Sequence, residues 1–178
     1  LQGVTPLVKG TMTALPESVD LKAQLEKQYQ QQLAHTQTAL DYMAEYGIKP
    51  EGKFGLFSPP SARQQEIHRL PYTHRAKQQV TYETERGEFS AKCPFSGLPD
   101  FGVVKVEYVP NTSLLELKSL KYYLLSWRNI GAAQEDITAY VFEDVMQALV
   151  DPDYLIVTTI YNVRGGINTT CMIDSRLQ

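Results

Sequence analysis

Basic runs, CxxC pairs and long apolar stretches are all missing from this 178-residue chain. Without a run of Lys and Arg nothing can track a phosphate backbone, so no direct nucleic-acid contact is expected. No apolar run reaches the length of a membrane span, so no membrane partner is expected either. The two cysteines, Cys93 and Cys171, form no CxxC, and His35, His68 and His74 all lie upstream of both. No zinc pattern results, and no metal is expected. With so little cysteine, a reduced cytoplasmic protein is the expectation rather than a disulfide-stapled one. Leu1-Gln2-Gly3-Val4 shows no basic stretch followed by an apolar core, so no secretory signal is expected. The chain does not begin with Met, which leaves its true start open. Asn111-Thr112-Ser113 and Asn168-Thr169-Thr170 match the glycosylation pattern and, without a signal, read as chance.

The length suits one domain, or one domain with an extension. The formal net charge is −3 and is unevenly spread: residues 1–80 carry nine Lys/Arg against seven Asp/Glu, and residues 81–178 carry eight against thirteen. Residues 1–17 are turn-rich. From Ser18 to Tyr46 the pattern is helical, with Leu21, Leu25, Tyr29 and Leu33 every four residues and Leu40 and Met43 continuing the stripe. Gln28, Gln30, Gln31 and Gln32 would face water. A solvated helix lying against the rest of the chain is one reading of this pattern; a partner-binding helix is the other. Gly47 and Pro50 stop it. Pro50, Pro59, Pro60 and Pro71 mark a connector, with a short helix expected from Ser61 to Arg69. We therefore divide the chain into an extension, 1–77, and a catalytic domain, 78–178.

Strands are expected near Val80–Lys92, broken at Arg86-Gly87, and at Phe101–Val109, joined by the Cys93–Asp100 turn. Ser113-x-x-Glu116 reads as a capping box opening a helix whose buried stripe is Leu117, Leu120, Leu124 and Trp127. A second helix spans about Glu135–Leu149 and buries Ile137, Val141, Val145 and Ala148; Asp151-Pro152 stops it. Strands Tyr154–Val163 and Ile167–Ile173 turn at Arg164-Gly165-Gly166. The order β-β-α-α-β-β, with no strand–helix alternation and no GxGxxG, excludes a doubly wound nucleotide fold and gives an α+β class. An antiparallel sheet with two helices on one face leaves open edges, which subunits can share.

The chemistry concentrates between Cys93 and Glu135. A thiol in a Pro/Gly turn can attack electrophilic carbon, and no histidine nearby supports a papain-like dyad. Asp100 can carry a proton if the hairpin arms meet. For a lone Cys the bland reading is a buried structural residue. Lys118 and Lys121 share a helix face, able to clamp an anion or simply to be solvated. Arg128 and Arg164 could add charge. Glu116 is either a cap or a site residue. Glu135 sits where a helix start favours a carboxylate.

Read together, Cys93-Pro94-Phe95-Ser96-Gly97-Leu98-Pro99-Asp100-Phe101, Glu116-Leu117-Lys118-Ser119-Leu120-Lys121-Tyr122-Tyr123, Ser126-Trp127-Arg128-Asn129, Glu135-Asp136 and Arg164-Gly165-Gly166-Ile167 resemble the nitrile reductases of queuosine biosynthesis. Those enzymes are the NADPH-dependent 7-cyano-7-deazaguanine reductases, of the tunnelling-fold superfamily. The likeness covers about residues 80–174. It implies a tunnelling fold (T-fold), with barrels closed between subunits and active sites at their interfaces. It implies Cys93 as the nucleophile forming a thioimide and Asp100 as the proton carrier. Glu135, Gln134 and Glu116 would bind substrate. Lys118, Ser119, Lys121, Arg128, Arg164 and Gly165 would bind NADPH. The family usually has an aromatic residue and a histidine where this chain has Ala133 and Gln134, and a polar residue at Leu98. A related branch of the superfamily adds ammonia to the same nitrile in tRNA without NADPH; it lacks the lysine signature present here. A non-catalytic binding protein built on the same fold is the third reading.

Overall fold

The computed structural model describes residues 21–45, 47, 57–64 and 66–178. The chain divides into two compact units, Leu1–Ala34 and His35–Gln178. Helix α1, Leu21–Glu45, begins in the first. Its exposed glutamines form i,i+4 pairs typical of a solvated face, Gln30 with Glu26 and Gln37 with Asp41. Among its described side chains the expected apolar stripe is buried only at Met43; Tyr29, Leu33 and Leu40 are exposed. The side chains of Leu21, Leu25 and Gln32, together with residues 1–17 and Pro50, lie outside the described ones.

In the second unit an antiparallel sheet runs in the order β2 (Val80–Glu83), β4 (Pro99–Val109), β6 (Tyr154–Arg164), β7 (Ile167–Asp174). β3 (Phe89–Lys92) also pairs with β4. β2 covers the Val106–Tyr108 end of β4, and β3 covers the Pro99–Gly102 end. The two lie end to end because Gly87, at φ +87°, turns the chain between them. β1 (Arg69–Pro71) pairs with β5 (Ser113–Leu115) apart from the main sheet. Helices α2 (Leu117–Ser126) and α3 (Gln134–Leu149) complete the order. Strand alternation makes the core: Val104, Val106 and Tyr108 on β4 and Leu155 and Val157 on β6 meet Leu120, Tyr123, Trp127, Ile137, Val141 and Val145 from the helices. Each such side chain contributes about 1.5–3 kcal/mol by leaving water. On the opposite face Phe101, Ile160 and Met172 are exposed. This is the expected α+β architecture, and α3 and the β6–β7 hairpin fall within a residue or so of their sequence positions.

Three local expectations fail for physical reasons. No helix forms over Ser61–Arg69; a single 3-10 turn, Pro60–Ala62, ends where Arg63 turns extended to reach Asp144. Ser113 does not cap α2, because β5 takes it and its hydroxyl donates to the Leu149 carbonyl at 2.6 Å. Glu116 is the cap instead, accepting from the Lys118 and Ser119 amides, both at 2.8 Å. Leu117, placed in the buried stripe by spacing, is 57% exposed, and Tyr123 takes the buried position.

Candidate active site

The turn between β3 and β4 is set by its own backbone. The Cys93 amide donates to the Leu98 carbonyl (2.9 Å) and the Gly97 amide to the Cys93 carbonyl (2.8 Å). Gly97 sits at φ +70°, a conformation costly for any residue with a Cβ. The Lys92 amide bonds the Ile130 carbonyl (2.8 Å), and Ser58 bonds Asn129 and Gly131 on the far side of that segment. The ring of Phe57 lies against Gly131 so closely that a Cβ there would stand 2.3 Å from it. The Cys93 turn is therefore braced by residues 57–58, for which the sequence gives no signal.

Cys93 is buried, and so is Asp100, which follows Pro99 into β4. Arg164 reaches both from the end of β6, its Nη2 lying 2.5 Å from Asp100 Oδ1. Burial alone would push the Cys93 thiol up. Donors from the Ser96 hydroxyl, Arg164 and the Ser96 and Phe95 amides together outweigh it, and the thiol ionises below its ordinary range. Asp100 goes the other way: burial raises it, and Arg164 offsets only part of that rise. A thiol that ionises easily thus stands beside a carboxyl that keeps its proton longer than usual, a combination suited to addition at an electrophilic carbon with proton delivery.

Glu135 and Gln134 open α3 at the same end of the sheet. Glu135 is exposed, and its charge adds to partial burial in raising the half-buried thiol of Cys171 on β7. Gln134 is half-buried and its carbonyl accepts from Thr138 (3.0 Å). The neighbouring Asp136 accepts from the Tyr42 hydroxyl at 3.1 Å. Gly165 is exposed in the β6–β7 turn at φ +54°.

The α2 residues gather elsewhere. Leu115, just before the helix, donates to the Tyr108 hydroxyl (3.2 Å), whereas the helix leads into Ile130 beside Lys92. From Tyr108 to Asp100 is eight residues of strand, about 26 Å at 3.3 Å per residue. Glu116 and Lys118 therefore stand at the end of the sheet away from Cys93. Lys118 and Lys121 are exposed and make no ion pair among the described residues. Lys121 borders a groove of about 450 Å³ between α2 and β2, which Glu83, Glu85 and Glu88 also line. Ser119 is buried, its hydroxyl accepting from the His68 amide (2.9 Å) and donating to the Glu116 carbonyl (2.8 Å). Arg128 is exposed in the 3-10 turn Trp127–Asn129. No metal-holding cluster of His, Cys, Asp and Glu occurs among the described residues.

The fold defines the class, an α+β protein with two helices packed on one face of an antiparallel sheet. Residues 99–178 match the family model described as QueF-like protein. The NADPH-dependent 7-cyano-7-deazaguanine reductase of Thermotoga petrophila is 53% identical over 92 residues, 51% of this chain and 66% of that protein. The reductase of the same name from Chlorobaculum tepidum is 46% identical over 53% of this chain and 80% of its own. That from Caldicellulosiruptor bescii is 37% identical over 66% and 88%. Among solved structures, archaeosine synthase QueF-Like in the apo form aligns with a TM-score of 0.49 at 22% identity, covering 58% of this chain and 96% of that one. The chain belongs to the family of NADPH-dependent 7-cyano-7-deazaguanine reductases, and it spans about two thirds of the length of the Thermotoga relative.

Proposed function

We propose that this protein reduces the nitrile of 7-cyano-7-deazaguanine to the aminomethyl product in queuosine biosynthesis, with NADPH as reductant. The observation that carries the reading is the Cys93–Asp100–Arg164 cluster. The Cys93 thiolate adds to the nitrile carbon, and Asp100 gives a proton to the nitrile nitrogen, leaving a thioimide. Arg164 steadies the thiolate before attack and the Asp100 carboxylate after its proton has left. Glu135 accepts two N–H bonds from the guanine-type edge, and Gln134 and Glu116 complete the substrate contacts of the reading. Two NADPH, bound in turn, would each supply one hydride; after the first, the C–S bond breaks, Cys93 returns as the thiol, and an imine is left for the second. The exposed, unpaired Lys118 and Lys121 suit its phosphates, with Arg128 and Gly165 as further contacts. The Ser119 hydroxyl, buried and already bonded twice, does not fit a direct phosphate contact. Arg164 serves the thiol in this reading rather than the cofactor.

Because Lys118 and Cys93 lie toward opposite ends of the sheet, the reading requires a homo-oligomer in which the lysines of one subunit complete the thiol site of another. The free edges of β2 and β7 are available for that closure. A thiolate nucleophile also suits the reducing cytoplasm. Among the described residues no helix is long and apolar enough to cross a membrane.

Two measurements test the reading. NADPH absorbance should fall when the nitrile is added. Without NADPH, the mass of the protein should rise by one substrate per Cys93, unchanged by Cys171→Ala and abolished by Cys93→Ala. An adduct that persists in Cys93→Ala would remove the thiol from the mechanism.

A further inference from the structure

The hydroxyl of Tyr161 is buried and meets no partner at hydrogen-bonding geometry among the described residues. Tyr161 as a whole is 4% exposed. Leaving a phenol O–H in that condition costs stability, so its environment calls for an explanation. Its place in the fold supplies one. On β6 it stands opposite Gly102, two residues along from Asp100 on the same face of β4. Only a glycine fits there: a Cβ on residue 102 would come within 2.7 Å of the Ile160 carbonyl and 3.1 Å of the Tyr161 ring. Two residues back on β6, Thr159 is paired across the sheet with Cys171 and meets the Thr138 hydroxyl at 2.5 Å. Thr138 lies one turn into α3, its hydroxyl donating to the Gln134 carbonyl, three residues on from Glu135. Tyr161 is thus set between Asp100 on one side and the Glu135 end of α3 on the other. Burial, and the negative charges of these neighbours, hold its proton in place. The nearby Thr159 hydroxyl opposes that only in part. At neutral pH the group therefore keeps its proton and is a donor without an acceptor among the described residues.

We infer that the Tyr161 hydroxyl is a specificity-determining donor, reading the ring carbonyl of a guanine-type base whose adjacent N–H groups are taken by Glu135. The inference rests on the function proposed above and deepens it. A carboxylate can recognise only the N–H donors of that edge; the carbonyl between them and the five-membered ring needs an O–H or N–H. In the family histidine's place this chain carries Gln134, half-buried at the start of α3. A buried phenol on the facing strand provides the missing donor, and an unliganded protein then leaves its oxygen without a partner.

Tyr161→Phe tests this with little disturbance of packing. Calorimetry on the full chain should compare 7-cyano-7-deazaguanine with its analogue carrying hydrogen in place of the ring carbonyl. Tyr161→Phe should weaken the first roughly ten- to a hundredfold and leave the second unchanged. The melting temperature of the free protein should stay level or rise, because the variant deletes an unsatisfied buried group. Equal affinity of wild type and variant for the carbonyl ligand would overturn the inference alone, as would an equal loss on both ligands, which means lost packing. A wild-type protein that fails to bind the nitrile would overturn the proposed function and this inference with it.

Discussion

The two ends of the sheet solve opposite problems. At the thiol end Cys93, Asp100 and Tyr161 are buried and shifted in ionisation, and the Tyr161 hydroxyl is short of a hydrogen bond. At the lysine end, α2 is capped by its own Glu116 and Ser119, and Lys118 and Lys121 stand in water. Covalent chemistry needs groups held in place before the ligand arrives, and the fold carries the cost as buried ionisable groups and an unpaired hydroxyl. Anion binding needs only charge at the right place, which a well-capped surface helix supplies without strain.

The largest expected effects fall at the thiol end. Cys93→Ala should abolish both adduct formation and NADPH consumption. Arg164→Ala removes one of the donors that lower the thiol, so the pH–rate profile for adduct formation should move to higher pH. An unchanged profile would mean that Ser96 and the turn amides are sufficient. The lysine end should respond differently. Lys118→Ala with Lys121→Ala should raise the KM for NADPH far more than that for the nitrile. Each lost charge-assisted contact is worth about 1.5–3 kcal/mol, or roughly ten- to more than a hundredfold. The adduct formed without NADPH should be untouched, and a parallel loss of it would erase the division between the two ends.

How much of this was legible follows from the range of the contacts. The Cys93–Asp100 turn was readable because Pro94, Gly97 and Pro99 dictate it locally. The β6–β7 turn was readable from Gly165-Gly166, but not the return of Arg164 to Asp100, 64 positions earlier, which only the sheet register creates. Tyr161 carried a weak signal that went unused: alternation along β6 places it inward with Leu155, Val157 and Thr159, a polar tip where apolar ones precede it. The spacing of Ser113 and Glu116 misled because it satisfied a capping rule while strand pairing claimed the serine. The brace at residues 57–63 had no signal at all. Its Arg63 forms a buried pair with Asp144 at 2.6 Å, joined by the Tyr123 hydroxyl at 2.8 Å.

That brace lies between the two ends, so it should affect stability rather than either chemistry alone. Arg63→Ala would strand Asp144 in a buried site, at a cost of about 3–5 kcal/mol. The double change Arg63→Met with Asp144→Leu should recover much of it. Urea titration of the three proteins measures this directly. A single variant as stable as wild type would show that the pair contributes nothing to holding residues 57–63.

The smallest expected effect gives the two ends opposite signs. Asp100 has a folded pKa above its unfolded value, because burial disfavours its charge more than Arg164 favours it. Its contribution to stability is therefore greatest in acid and is lost as pH rises through the unfolded and then the folded pKa. Asp100→Asn, neutral throughout, should melt higher than wild type at neutral pH, and the gap should close as pH falls through the carboxylate range near about 4. Glu116 is the reverse case: the Lys118 and Ser119 amides hold its carboxylate below the usual range. Its stabilisation is present at neutral pH and lost as pH falls through the depressed folded pKa. Glu116→Gln should accordingly melt lower than wild type at neutral pH, with a gap that also closes in acid. Melting curves for the three proteins from neutrality into acid decide the matter. If both variants shift in the same direction, the contrast between a site kept under tension and a helix at rest does not hold.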